Sequence, residues 1–230
     1  GRKDDMKIIA FDTETWLIEP GRLAPRFVCL SHSDGVNSGI ITEPQKALAW
    51  LHQKLDDPAV FLVGHNVAFD LGVVCQADSS LVPKVWAAYD ADRIGDTMVH
   101  ERLRKIALGR TGSDPDQGGK RPRYSLAALV NQYFGETVEG KGGDAWRMRY
   151  HELDGVPLDR WPEAALEYAR LDAVYTWRLW SKQARTPQYD FFPQCRYAWA
   201  LHCITAWGMR TDPDAVAELR ANIQAEIAAA

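Results

Sequence analysis

The stretch "AVFLVGHNVAFD", residues 59–70, decides how this chain is organised. Its first six residues are apolar or glycine and lack the polar alternation of a half-exposed strand, so a strand here is buried on both faces. From Asn66 onward the spacing turns helical. Asn66 stands where an N-cap belongs, and Asp70 lies four residues further, on the same face of the first turn. A buried strand running straight into a helix is the repeating unit of a layered α/β fold.

The flanking sequence extends that reading. Toward the N-terminus, Lys7–Phe11 is a short apolar run ending in "DTET" (12–15). Two further strands, "RFVCLSHS" (26–33) and "VNSGII" (36–41), are joined by the hairpin signal Asp34-Gly35. Thr42 and Gln45 are expected to form a capping box for a helix carrying Ala47, Leu48, Leu51 and Leu55 at helical spacing. Toward the C-terminus, residues 109–124 are rich in Gly, Pro and charge and read as a mobile loop. "SLAALVNQYFG" (125–135) is an amphipathic helix closed by Gly135, and residues 140–161 read as irregular. Pro162 opens a long helix, and two more follow over roughly 194–207 and 213–229. The last has Asp212 as N-cap and Pro213 at its first position. Its ending, "AEIAAA", suggests a longer parent chain.

Composition narrows the class. At 230 residues and 46% hydrophobic content, the chain supports one large domain, or one domain and the start of another. A net charge of −4 excludes a protein that is basic all over, but not a local basic groove. The four cysteines form no CxxC pair and fit no disulfide framework, which points to reduced thiols and a cytoplasmic setting. No apolar stretch approaches the ~20 residues of a membrane span, so no membrane partner is expected. The opening "GRKDD" is set aside, because "MKIIAFDTET" reads as a natural start.

Three local patterns place acids together. Asp12 and Glu14 are two apart on a strand and project from one face. Asn66 and Asp70 share a helical turn, as do Tyr168 and Asp172. Singly, each has an ordinary explanation as turn, cap or core stripe, although a carboxylate on the apolar side of a core helix is costly without a partner. Together they converge four carboxylates, and hard divalent cations with oxygen ligands relieve the resulting repulsion. Two such ions can clamp the oxygens of a phosphodiester undergoing displacement. No Cys/His spacing competes for a zinc site.

The residues also carry a resemblance. "FDTET", "HNVAFD" and "YARLD" are similar, in order, to the DxE motif, the Asn-led motif ending in Phe-Asp, and the YxxxD motif of the tyrosine-type DEDD 3′–5′ exonucleases. The chain most resembles the proofreading domains of family A DNA polymerases. The match covers about residues 6–184 and takes in "GDTMVHERL" (95–103) and "SLAALVNQYFG". Residues 185–230 include "RYAWALHCITAWGMRTD", which resembles the segment entering a polymerase thumb. This resemblance implies an RNase H-like mixed five-stranded sheet flanked by helices, with a helical C-terminal extension. It implies two divalent ions, Mg²⁺ or Mn²⁺, hydrolysis at a single-stranded DNA 3′ end, and a polymerase domain in the same parent chain.

Carried over residue by residue, Asp12 would bridge both ions, Glu14 and Asp172 would hold the one on the nucleophile's side, and Asp70 would serve the other, partly through water. Tyr168 would orient the nucleophile. Asn66 and Thr13 would lie against the strand, and Leu17 and Ile18 would wedge against the terminal base. Asp96 matches a further recurrent family acid, which would either back the metal-holding carboxylates or be structural. Beside these, "KGGDAWRMRY" (141–150) interleaves Lys141, Arg147 and Arg149 with Trp146 and Tyr150, a pattern that stacks bases and neutralises phosphates, or packs as irregular surface. Seven basic residues between Arg102 and Arg123, against two acids, form either a solvated loop or a basic arm near the strand. Two rivals stay open: an RNase D-like exoribonuclease, and a non-catalytic nucleic-acid-binding scaffold.

Overall fold

The computed structural model describes residues 6–19, 24–113, 118, 121, 123–138, 146–185, 189–208 and 211–229. Lys141 and much of the expected 109–124 loop lie outside the described residues. Five strands form one sheet: β1 (Lys7–Thr15), β2 (Phe27–Ser33), β3 (Ser38–Ile41), β4 (Val60–Gly64) and β5 (Ile94–Asp96), in the order β3-β2-β1-β4-β5. β2 runs antiparallel to both neighbours, whereas β1, β4 and β5 are parallel. All five β4 residues are buried, as a strand between two parallel neighbours requires. The β2–β3 hairpin turns at Asp34–Asn37, where Asp34 Oδ1 accepts the amides of Val36 and Asn37. β5 is three residues long. It is too short for any periodicity, which is why the residues around it read as helical.

Eight α-helices are described: α1 (Pro44–Asp56), α2 (Val67–Ala77), α3 (Leu81–Asp90), α4 (Thr97–Ala107), α5 (Leu126–Phe134), α6 (Glu163–Gln183), α7 (Phe191–Trp207) and α8 (Pro213–Ala229). Three short 3₁₀ turns precede α6, at Trp146–Met148, Tyr150–Leu153 and Leu158–Arg160. α6 crosses β1, β2 and β3. Ala165, Ala169 and Ala173, spaced every four residues and fully buried, let its backbone approach closely. α7 packs on α2, α3, α4 and β5 through Phe191, Cys195 and Trp199, so the core extends past residue 184. α8 has no buried residue. No helix among the described residues is long and apolar enough to cross a membrane.

Two expected caps form differently. α1 begins at Pro44 with Glu43 as N-cap and no side-chain cap bond, so the Thr42–Gln45 box does not form. Pro44 already sets the first helical φ and brings no amide to satisfy. Asn66 does occupy the N-cap of α2, but its φ is 63° and its side chain makes no cap bond. Asp96 performs that role from a distance: Oδ1 accepts the amide of Asn66 at 3.1 Å and Oδ2 that of Val67 at 3.0 Å. The same carboxylate caps its own helix, with Oδ1 accepting Met98 at 2.8 Å and Val99 at 3.1 Å.

Asp96 is thus a buried acceptor for four amides at the starts of two helices. Burial still pushes its carboxyl above the ordinary range, with the four donors opposing the rise. Asp96→Ala is expected to cost about 3 kcal/mol by stranding these donors. Urea unfolding would show a lower midpoint with an unchanged slope, and Asp96→Asn should fall between. An Ala variant as stable as the parent would remove Asp96 from this role.

Candidate active site

The site forms where β1 ends against α6 and the start of α2. β1 alternates, so Asp12 and Glu14 project on one side, and Tyr168 and Asp172, one α6 turn apart, come to meet them. Oxygens of Asp12, Glu14 and Asp172 all lie within 4.8 Å of one another. Thr13 points the other way, toward α2. Its amide donates to Asp70 Oδ1 at 2.9 Å and its hydroxyl at 2.6 Å. The fourth carboxylate therefore joins the site through the peptide between the other two. The pairing of β1 with β2 shifts register between Glu14 and Thr15, an irregularity of the kind common beside functional sites.

The electrostatics follow from this crowding. Burial, then repulsion from Asp70, Asp172 and Glu14, pushes the Asp12 carboxyl well above the carboxylate range. Glu14 rises for the same reasons, with Arg147 opposing the rise. Asp70 is pushed up to about 7 by burial, against the two bonds from Thr13. Burial and the nearby carboxylates hold the Tyr168 phenol well above its usual value, so Tyr168 keeps its proton at neutral pH. The donor set fits a hard divalent cation: the clustered groups are all carboxylates, and Glu14 Oε1 is buried without a hydrogen-bond partner among the described residues.

The other expected residues divide. Leu17 and Ile18 follow β1 exposed at 45% and 62%, open to a partner. Asn66 is exposed on its left-handed turn. Thr13 is buried, with its donors given to Asp70. Arg147 is exposed and close enough to act on Glu14 and Tyr168. Arg149 lies 4.5 Å over the Trp146 ring and makes a two-bond pair with Glu152. Arg104 and Lys105 turn inward to the fully buried Glu101, which removes them from any basic arm.

One element had no sequence signal. Asp154 Oδ2 accepts Trp16 Nε1 and pairs with Arg26 Nε, both at 2.8 Å. This ties the segment carrying Leu17 and Ile18 to β2's approach and to the 3₁₀ turns. The partners are separated by up to 138 residues, so no local pattern exposes the link.

A family model described as 3′–5′ exonuclease matches residues 2–185. The chain belongs to this exonuclease family. Among solved structures it is similar to Escherichia coli RNase D, described as an exoribonuclease involved in structured RNA processing, at 18% identity and a TM-score of 0.55, covering 87% of this chain and 46% of that one. It is similar to Brucella melitensis NrnC bound to pGG at 18% identity and a TM-score of 0.54, covering 87% and 82%. The catalytic core of Trypanosoma brucei RRP6 matches at 14% identity and a TM-score of 0.57, covering 86% and 47%. These likenesses share the fold of DEDD-type exonucleases. The chain spans less than half of the RNase D and RRP6 chains. No curated protein sequence matches it.

The raised carboxyls give a pH signature. An unfolded chain releases these protons at the ordinary carboxylate value, near ~4, but the metal-free folded exonuclease retains them higher. The folded state binds more protons in that window, so its stability falls as pH rises, for Asp70 until about 7. The thermal midpoint in EDTA is expected to drop between pH 5 and pH 8, and Asp70→Asn to flatten part of the drop. Mg²⁺ should raise the midpoint more at pH 8 than at pH 5, because its ligands must be deprotonated. A midpoint that climbs with pH in EDTA would contradict these assignments.

Proposed function

We propose that this exonuclease domain removes mispaired nucleotides from single-stranded DNA 3′ ends as the proofreading part of a family A polymerase. The observation that carries the reading is the cluster of Asp12, Glu14 and Asp172 within 4.8 Å, with Asp70 and Tyr168 beside it. The exposed apolar residues on α7 and α8, among them Leu201, Ile204, Trp207, Leu219 and Ile227, support further protein contacts beyond the nuclease domain.

Asp12, Glu14, Asp172 and Asp70 would hold two divalent ions, Mg²⁺ or Mn²⁺. When bound, these supply Lewis acidity and neutralise charge on the phosphodiester. The chain's own groups provide positioning. Tyr168 retains its proton and so orients the attacking water by hydrogen bonding rather than by removing a proton. Arg147, facing Glu14, meets the added negative charge of the phosphate. Leu17 and Ile18 offer apolar surface to the terminal base, and Asp154 holds their segment through Trp16. A second reading, an RNase D-like exoribonuclease, is favoured by the descriptions of the structural neighbours.

An end-labelled 3′-mispaired DNA and a matching RNA, incubated with Mg²⁺, Mn²⁺ or EDTA, separate these readings. Metal-dependent shortening of DNA from its 3′ end is expected, and a preference for RNA would select the second reading. Binding without shortening under either metal would leave a scaffold. Asp12→Ala should abolish cleavage with the fold retained, and Tyr168→Phe should keep partial activity.

Asn66 allows its two roles to be separated. Its φ of 63° suits Asn or Gly and strains other residues by about 1–2 kcal/mol. Asn66→Gly should keep the thermal midpoint but weaken oligonucleotide binding, whereas Asn66→Ala should lose both. If the Gly variant binds as the parent does, the amide makes no contact with the strand.

A further inference from the structure

A cleft of about 530 Å³ opens beside Tyr168 and Asp172. Its walls come from the β4–α2 turn with Asn66, from α4 with Met98 and Arg102, from the first turn of α5, and from Arg147. None of the described residues that directly follow β1, Leu17 and Ile18 included, lines it. The cleft and the apolar pair are therefore separate surfaces reached from one carboxylate cluster.

α4 divides its cations between two environments. Glu101, Arg104 and Lys105 share its inward face, and that cluster also draws in Gln132 and Tyr133 of α5. Arg102 shares the neighbouring face with Met98, four residues earlier, and faces the cleft. Its guanidinium lies 5.3 Å from the centre of the Tyr124 ring, which also lines the cleft. Neither Arg102 nor Arg147 has a carboxylate within ion-pair distance among the described residues. Arg26, Arg149, Arg170 and Arg178 all do. Two guanidiniums with no ion pair among the described residues line one cleft, one of them steadied on an aromatic face, and form a site for an anion rather than for an apolar group.

We infer that Arg102 and Tyr124 form a subsite for the phosphodiester one nucleotide upstream of the scissile phosphate. Arg102 supplies the charge-assisted contact, and Tyr124 is a positioning residue that holds the guanidinium over the cleft. The inference rests on the proposed exonuclease reading, because that reading puts the scissile phosphate at Asp12, Glu14 and Asp172. Its consequence is discrimination by length: a substrate with a second phosphodiester gains from Arg102, and one without it does not.

Two probes isolate the subsite. Thymidine 5′-monophosphate p-nitrophenyl ester has one phosphodiester and no upstream phosphate, whereas labelled (dT)6 and (U)6 have several. Hexamer binding is measured by fluorescence anisotropy in Ca²⁺, and hydrolysis of the ester and of the hexamers in Mn²⁺. Arg102→Ala is expected to weaken hexamer binding about tenfold and to lower the log–log salt slope by about 0.7, the share of one single-strand phosphate contact. Ester hydrolysis should stay within about twofold. Tyr124→Ala should weaken binding less, and Arg102→Lys should restore part of it.

Unchanged hexamer binding in Arg102→Ala, with an unchanged thermal midpoint, overturns the subsite. So does an equal loss on ester and hexamer, which would put Arg102 at the scissile phosphate. If the parent protein hydrolyses neither substrate, the exonuclease reading fails by itself. The anisotropy then still decides Arg102: a tenfold loss upholds its phosphate contact, and no loss ends it.

Discussion

Oxygens of Asp12, Glu14 and Asp172 within 4.8 Å of one another, with Asp70 close behind, set the constraint on which the rest of the site depends. Burial and mutual repulsion both oppose their ionisation, so the folded chain holds these groups in a state that favours proton or cation uptake. Such a cluster persists only because the sheet and α6 pack well enough to enforce it. The buried alanines of α6 bring Tyr168 and Asp172 down onto β1, and β1 presents Asp12 and Glu14 by simple alternation. The energetic cost of the cluster is carried by hydrophobic packing elsewhere, a common arrangement at functional sites.

The fourth carboxylate shows how tightly the parts are joined. Asp70 accepts from both the amide and the hydroxyl of Thr13, so the β4–α2 unit and β1 are linked between the two acids of the first motif. Asp96 adds a second link at the same end of the sheet, collecting four amides from the starts of α2 and α4. The start of α2, which carries Asn66 and Asp70, is therefore fixed to β1 and to the start of α4 by two buried carboxylates. One of these, Asp70, belongs to the site. The other, Asp96, supports it.

Charge is sorted by the same packing. The linear cluster of basic residues after Arg102 is uniform in sequence, yet α4 pairs Arg104 and buried Lys105 with Glu101 and leaves Arg102 at the cleft. Arg147 and Arg149, two residues apart in an interleaved aromatic segment, separate likewise. Arg147 acts on the carboxylates, while Arg149 is held by Trp146 and Glu152. Helical and turn geometry assigns each cation to a wall, and the carboxylates already in place decide which remain unpaired.

Much of this was legible in the residues themselves. The unbroken apolar run of β4, the Asp12/Glu14 alternation, the four-residue spacing of Tyr168 and Asp172 and the closing Gly135 are all consequences of backbone periodicity, which acts over two to four residues. The order of the three motifs led to the exonuclease family. What the sequence could not show were relations over tens of residues: the 57-residue bond from Thr13 to Asp70, the capping of α2 by Asp96 instead of Asn66, the three-residue β5, and the burial of Glu101 with Lys105. Local spacing determines which side chains share a face. Which faces meet, and therefore which charges are buried, paired or left for a ligand, is decided only when the sheet and helices pack.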